Sequence, residues 1–420
     1  MDSITQNNCQ CEMISAKTQN FFERFNVSSA LKSSNAYKLK GFSVIQIFMF
    51  AFAVVFQNRS LYMQMLLNKD SVPFSKDTFY RFVNSCHTNW RKFTTLLCSK
   101  IINTVIAPLT SEERRNVIII DDSIFHRARS KKVELLARVY DHSKSEYTFG
   151  YRMLTMGWSD GNTFLPVSHT LLSTENKKNR ISEAAEVDTR TNGAKQRKLA
   201  QMKATDVTIF MLKEAKNACI NASHVLFDTW FNSPAMLVEV RKIGYHVVAM
   251  AKKSQKIRYL YNGKMEDAKA IYKANKKRRG LSKYLLSVDA SVVSNGETLP
   301  IRLVFVRNKN NRKEWLLLVT TDMNLNEEEI ISLYGKRWAI EVFFKMCKSY
   351  LRLEKDCRAI SYDAMTAHVS IVFARYMFLA VEQRENCDMR SIGELFYVSI
   401  DELPDIQFVE AMRLVMTQFA

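Results

Sequence analysis

The chain has 420 residues, long enough for two or three structural units with a sizeable core. Hydrophobic residues make up 47% and charged residues 25%, the balance of a folded protein, which sets a disordered chain aside. Lys and Arg total 61 against 42 acids, a net charge of +19 that suits a polyanionic partner, nucleic acid before membrane.

The basic residues are not gathered in one tail. They recur as "HRARSKK" (126–132), "NKKNR" (176–180), "KQRK" (195–198) and "KANKKRRG" (273–280). The eight cysteines lack paired zinc-finger spacing, and only Cys9 and Cys11 sit close together, so reduced thiols in a cytosolic protein are expected. The polar first residues show no signal peptide.

Residues 1–110 read as helical. "FSVIQIFMFAFAVVF" (42–56) is shorter than the roughly 20 residues of a membrane span and contains Gln46, so it is expected to be a buried helix. In "PFSKDTFYRFVN" (73–84), Ser75 suits an N-cap and Asp77 the first turn, with Phe79, Phe82 and Val83 as the apolar stripe. A short turn into this helix fits a helix-turn-helix exposing Lys76, Tyr80 and Arg81, and equally fits plain bundle packing.

At 116 the texture changes. "NVIIIDD" is a β-branched run ending in two aspartates, and 147–172 reads as a hairpin turning at "SDGN". Helix is expected over 196–220 and 233–243, and buried strands at "HVLFD" (224–228) and "YHVVAMA" (245–251). Such alternation indicates an α/β sheet. Residues 256–312 are polar, basic and strand-like, as an insertion would be. "EWLLLVTT" (314–321) returns to a buried strand, and Asn326 followed by three glutamates starts one long helix. Residues 360–383 and 400–418 read as closing helices.

Three carboxylates stand out. Asp121 and Asp228 each follow a buried apolar run, where a carboxylate is costly unless it is paired, capping a turn or holding a metal. The third is Glu341 in "YGKRWAIEVFFKMCK" (334–348). On a continuous helix stepping about 100° per residue, Tyr334, Arg337, Glu341, Lys345, Lys348 and Arg352 fall within a stripe of about 80°. A lone carboxylate among cations suits phosphodiester chemistry: three carboxylates can hold two Mg2+ ions while Arg and Lys grip phosphates. An exposed basic helix with Glu341–Lys345 pairing would look the same in sequence. "GWSDG" (157–161) has the form of a hydrolase nucleophile elbow, but a strand rather than a helix follows it. The seven histidines show no metal-binding spacing, and no phosphate-binding P-loop motif is present.

With strand-Asp, strand-Asp and helix-Glu in that order, the form Y-x2-R-x3-E-x6-K at 334–348 resembles the signature of the DDE transposases of the insertion-sequence-four family. The resemblance covers roughly residues 115–360. It implies an α/β, RNase H-like mixed sheet flanked by helices, with a β-rich insertion and a helical N-terminal domain. The layout expected from this and from the texture of the chain is a helical DNA-binding domain at 1–110, a catalytic core at 111–255 and 313–365 split by the insertion at 256–312, and C-terminal helices at 366–420; the N-terminal region resembles the family in texture only. Asp121, Asp228 and Glu341 would be the catalytic, metal-binding residues, with Asp122 left open as the alternative to Asp121. Tyr334, Arg337, Lys345, Lys348 and Trp315 would contact DNA, Trp315 by stacking on a flipped base; as a strand-end aromatic it could equally belong to the core. The implied cofactor is two Mg2+ ions, with Mn2+ able to substitute. The implied partner is double-stranded DNA, both terminal inverted repeats and target, bound by a homodimer without a membrane. The implied reaction is cut-and-paste transposition through a hairpin. A structure-specific nuclease on the same core and a non-catalytic DNA-binding relic are the competing readings.

Overall fold

The computed structural model describes residues 16–38, 40–57 and 74–385, apart from residues 112, 143, 175, 279–281, 309–313 and 356. The expected closing helix at 400–418, and Cys9, Cys11 and Cys387, lie outside these residues. Cys86, Cys98, Cys219, Cys347 and Cys357 form no disulfide among the described residues.

The N-terminal part is helical, as expected. Residues 16–24 are helical, followed by α1 (Val27–Ser33), α2 (Val44–Ala53), α3 (Lys76–Val83) and α4 (Trp90–Ile101). Ser43 and Gln46 form a capping box at the start of α2, whose Phe48 and Phe52 are fully buried. Ser75 caps α3; Phe79, Phe82 and Val83 turn inward while Lys76, Tyr80 and Arg81 stay exposed. Residues 58–73, from which any preceding helix of a helix-turn-helix would come, lie outside the described residues.

Among the described residues the centre is an eleven-stranded mixed sheet in the order β2 (Ala137–Asp141), β3 (Glu146–Ser159), β1 (Val117–His126), β5 (His224–Phe227), β6 (His246–Met250), β11 (Trp315–Thr320), β10 (Glu297–Arg307), β9 (Tyr284–Ser294), β7 (Arg258–Tyr261) and β8 (Lys264–Asp267), with β4 (Phe164–Leu172) also paired to β3. β1 (Val117–His126) is antiparallel to β3 (Glu146–Ser159) and parallel to β5 (His224–Phe227), which is parallel to β6 (His246–Met250). Val117 through Ile120 are buried on both faces, which accounts for an unbroken apolar run in place of alternation. Each such side chain contributes about 1.5–3 kcal/mol of burial. β3 and β4 (Phe164–Leu172) form the expected hairpin, and Gly161 in its turn takes a φ of 96°. "GWSDG" is therefore a strand end and turn, with no helix after it. Antiparallel β4-β3-β1 continuing into parallel β1-β5-β6, with helices on the faces, is an RNase H-like mixed sheet.

Several boundaries differ from the sequence reading. β1 does not end at the aspartates: it runs to His126, because β3 stays paired with it after β5 has stopped. The helix expected over 196–220 is two, α5 (Asn192–Ala200) and α6 (Ala204–Asn217), since Ala200 O turns away to accept from Ser173 N. α7 (Pro234–Ile243) matches expectation.

The stretch 256–312 is strand-rich, with β7 (Arg258–Tyr261), β8 (Lys264–Asp267), β9 (Tyr284–Ser294) and β10 (Glu297–Arg307), plus the short α8 (Ala268–Ala274). It extends the central sheet directly, since β10 pairs along β11 (Trp315–Thr320).

The long helix after Asn326 is also two: α9 (Glu327–Gly335), with an Asn326–Glu329 capping box, and α10 (Trp338–Ser349). At Lys336 and Arg337 the backbone switches to tighter i→i+3 bonds, while the Lys336 ammonium reaches Arg115 O at 2.9 Å. Arg352 lies beyond α10 with a φ of 58°, so the 80° stripe does not continue to it.

α11 (Tyr362–Glu385) closes the described fold and crosses the expected 365/366 boundary. It is apolar and long enough to cross a membrane, but 94% of its apolar window is buried inside the protein. Arg375 on α11 donates to Phe52 O at 3.1 Å, tying α2 to it. Arg197 on α5 is buried between Glu134 and Asp363, holding α5, the loop before β2 (Ala137–Asp141) and α11 together.

Candidate active site

Parallel pairing of β1 and β5 ends at Ile120 opposite Phe227. The next residue on each strand is an aspartate, so Asp121 and Asp228 stand side by side where the two strands part. Successive strand residues point to opposite faces. Asp121 therefore faces α10, and Asp122 faces the other way, where its Oδ2 accepts from Arg152 Nε of β3 at 2.5 Å. This separates the two neighbours that the sequence alone left interchangeable.

Arg337, at the break between α9 and α10, is the hub. Its Nη1 donates to Asp121 Oδ2 at 2.7 Å and its Nη2 to Glu341 Oε1 at 2.5 Å. Burial pushes the Asp121 carboxyl up to about 7; Arg337 opposes the shift and the Asp228 charge adds to it. Burial opposes the Arg337 charge, yet Tyr334, Asp121 and Glu341 together hold its pKa above the usual value. Tyr334 is largely buried beside the same groups, and its hydroxyl is pushed up to about 12. Asp228 Oδ1 accepts from the Trp230 backbone N–H at 2.8 Å.

The other expected residues are placed differently. Lys348 donates to Ile124 O at 2.7 Å and pairs with Glu354 at 3.2 Å, which fastens α10 to β1. Lys345 is exposed on α10. Trp315, at the start of β11, is half-buried: its ring stacks on Tyr272 (5.0 Å), meets Phe305 edge-on (4.9 Å) and carries Lys253 at 4.8 Å.

Arg152, Trp230 and Lys252 were not singled out from the sequence. The available signal was an aromatic two residues after the second aspartate in "DTWF". A cavity of about 750 Å3 between α3 and α11 lies away from these carboxylates.

The donor set is all oxygen, which suits a hard divalent cation. Asp121 and Asp228 are adjacent and repel one another, a repulsion that Arg337 offsets only from the Asp121 side, so this pair fits one. Among the described residues no three acidic, His or Cys side chains converge closely enough to hold an ion as they stand; Glu341 is bonded to the Arg337 guanidinium.

A profile described as DDE superfamily endonuclease matches residues 37–298, well over half of the chain, and the chain belongs to that family. The match includes Asp121 and Asp228 and ends before Glu341. Over 123 residues the chain is 24% identical to "Probable transposase for insertion sequence element IS5377" of Geobacillus stearothermophilus, an alignment covering 28% of this chain and 32% of the relative. The chain thus spans about a third of that relative's length.

Proposed function

We propose that this chain is an insertion-sequence transposase of the insertion-sequence-four type, which cuts element ends from DNA and joins them to a target by way of a hairpin. The observation that carries this reading is the placement of Asp121 and Asp228 together at the end of the β1–β5 pair, with Arg337 joining Asp121 to Glu341. The family match and the insertion-sequence relative support it.

In this reading Asp121, Asp228 and Glu341 are the catalytic carboxylates and would hold two Mg2+ ions, with Mn2+ able to substitute. Such ions would activate a water or a 3′-hydroxyl and stabilise the leaving oxygen. Arg337 pairs with both Asp121 and Glu341 in the resting protein. With cations on the carboxylates it would be released to a DNA phosphate, which it could grip through two N–H groups. Tyr334, Lys345 and Lys348 would contact the same DNA strand, Lys348 also fastening α10 to β1. Trp315 would stack on a flipped base only if its own stack with Tyr272 opened. The helical region 1–110 would bind the terminal inverted repeats, with 111–255 and 313–365 as the catalytic core. The active complex would be a homodimer on DNA in the bacterial cytoplasm.

The test is a time course on DNA carrying the element's own flanking ends, with Mg2+, comparing the parent with Asp228→Ala. Nick, hairpin and joined products from the parent, and none from the variant, are expected. Cleavage without joined product would make the protein a nuclease, and no Mg2+-dependent cut would make it a DNA-binding relic.

A further inference from the structure

The loop beyond Asp228, at the C-terminal end of the interior strand β5, carries an aromatic surface that the chemistry above leaves unused. Trp230 is 52% exposed, unusual for an indole three residues past a buried strand. Its position is fixed from below, because its backbone N–H is bound to Asp228 Oδ1 at 2.8 Å. Two cations lie over its ring: the Arg152 guanidinium at 4.8 Å and the Lys252 ammonium at 5.1 Å. Arg152 is itself held by Asp122 on the face of β1 turned away from Arg337. Trp230 and Arg152 also line an open depression of about 620 Å3, bordered by Thr174, Asn176, Lys203 and Thr205.

A solvated surface has no need of an exposed indole between two cations. A nucleotide does: its base has a π-face for the indole, and its phosphate has a charge for Arg152, Lys252 and Lys203. The depression is ample for one base. Trp315, in contrast, is already covered by Tyr272, Phe305 and Lys253.

We propose that Trp230, with Arg152 and Lys252, is a nucleobase-binding platform at the C-terminal end of β5, taking an unstacked base of the strand whose scissile phosphate lies at Asp121 and Asp228. The proposal rests on the DNA-cutting reading for the strand's identity and on the local geometry for the platform. Asp122 acts here as a positioning residue that holds Arg152 over the ring.

The test uses the full chain in EDTA, so that binding is read without chemistry. Three probes are compared: oligothymidine of about 20 nucleotides, an abasic strand of equal length and charge, and a blunt duplex. Parent protein should prefer oligothymidine to the abasic strand by roughly 5- to 100-fold. Trp230→Ala should erase that preference and leave abasic and duplex binding within about twofold, while Trp230→Phe restores most of it. An unchanged melting temperature shows that the variant is folded. Equal losses on all three probes, or no loss on oligothymidine, would overturn the platform. Base-dependent binding by a parent that cuts no DNA would keep the platform and remove the transposase reading. Cutting by a parent with no base preference would do the reverse.

Discussion

Arg337 and Asp121 are joined by a 2.7 Å hydrogen-bonded ion pair across the gap between α10 and β1. The same guanidinium holds Glu341, so one side chain stands among the groups on which the proposed chemistry depends.

Burial and the Asp228 charge leave Asp121 with a folded-state pKa of about 7 despite that pair, whereas an unfolded aspartate titrates near 4. Between about pH 4 and pH 7 the unfolded chain releases this proton while the folded chain keeps it. The metal-free protein should therefore lose stability as pH rises through that window, by about 2–4 kcal/mol, and change little from this group above it. Asp121→Asn should remove the dependence and raise the melting temperature at pH 8. Urea unfolding in EDTA at pH 5 and pH 8 measures this; a parent more stable at pH 8 on account of Asp121 would contradict it.

Loss of a carboxylate should separate cutting from binding. Asp121→Ala, Asp228→Ala or Glu341→Ala is expected to lower nicking with Mg2+ by at least about 10³-fold, the loss of several kcal/mol of charge stabilisation. DNA affinity should stay within about threefold, since the phosphates are held by cations. Asp122→Ala, which faces Arg152, should be the milder of the adjacent pair. The reverse ranking would move the catalytic role one residue along β1.

The two lysines of α10 should behave differently. Lys345 is exposed, so Lys345→Ala should reduce the salt dependence of DNA binding by about one counterion. Lys348 is bound to Ile124 O and Glu354, so Lys348→Ala should also destabilise the fold, by about 1.5–3 kcal/mol. Filter binding at several salt concentrations and a melting curve decide between these roles.

Trp315→Ala should cost about 2–3 kcal/mol of stability, less than a fully buried tryptophan would, because Tyr272 and Phe305 lose a ring partner. Nick and hairpin should then fall together. Selective loss of hairpin, with nicked DNA accumulating and melting unchanged, would return the base-stacking role to Trp315.

Much of this fold can be read from local chemistry. The β-branched run at Val117–Ile120, the Ser75 and Asn326 caps and the turn at Asp160–Gly161 each carry their signal in a few adjacent residues. The breaks do not. Gly335 weakens the helix locally, but one glycine does not by itself end a helix; the break is held by the reach of Lys336 to Arg115 O and of Arg337 to Asp121, over 200 residues away in sequence. The continuation of β1 past Asp122 depends in the same way on β3, a partner that local patterning does not reveal. Of the candidate site, the two strand-end aspartates are legible because both follow buried apolar strands. Arg152 and Trp230 are not, because their meeting depends on how β3 and the loop after β5 come together.

The tandem aspartates of β1 make the strand unequal in its tolerance of length changes. Side chains alternate with a period of two, so a shift of one residue exchanges the faces. A one-residue deletion between Val117 and Ile120 would draw Asp122 into the place beside Asp228, sparing a carboxylate there at the expense of Arg152's partner. A one-residue insertion would put Ile120 in that place and turn Asp121 away. Lineages descended from this sequence should therefore survive shortening of β1 more often than lengthening, with the second aspartate serving as a spare.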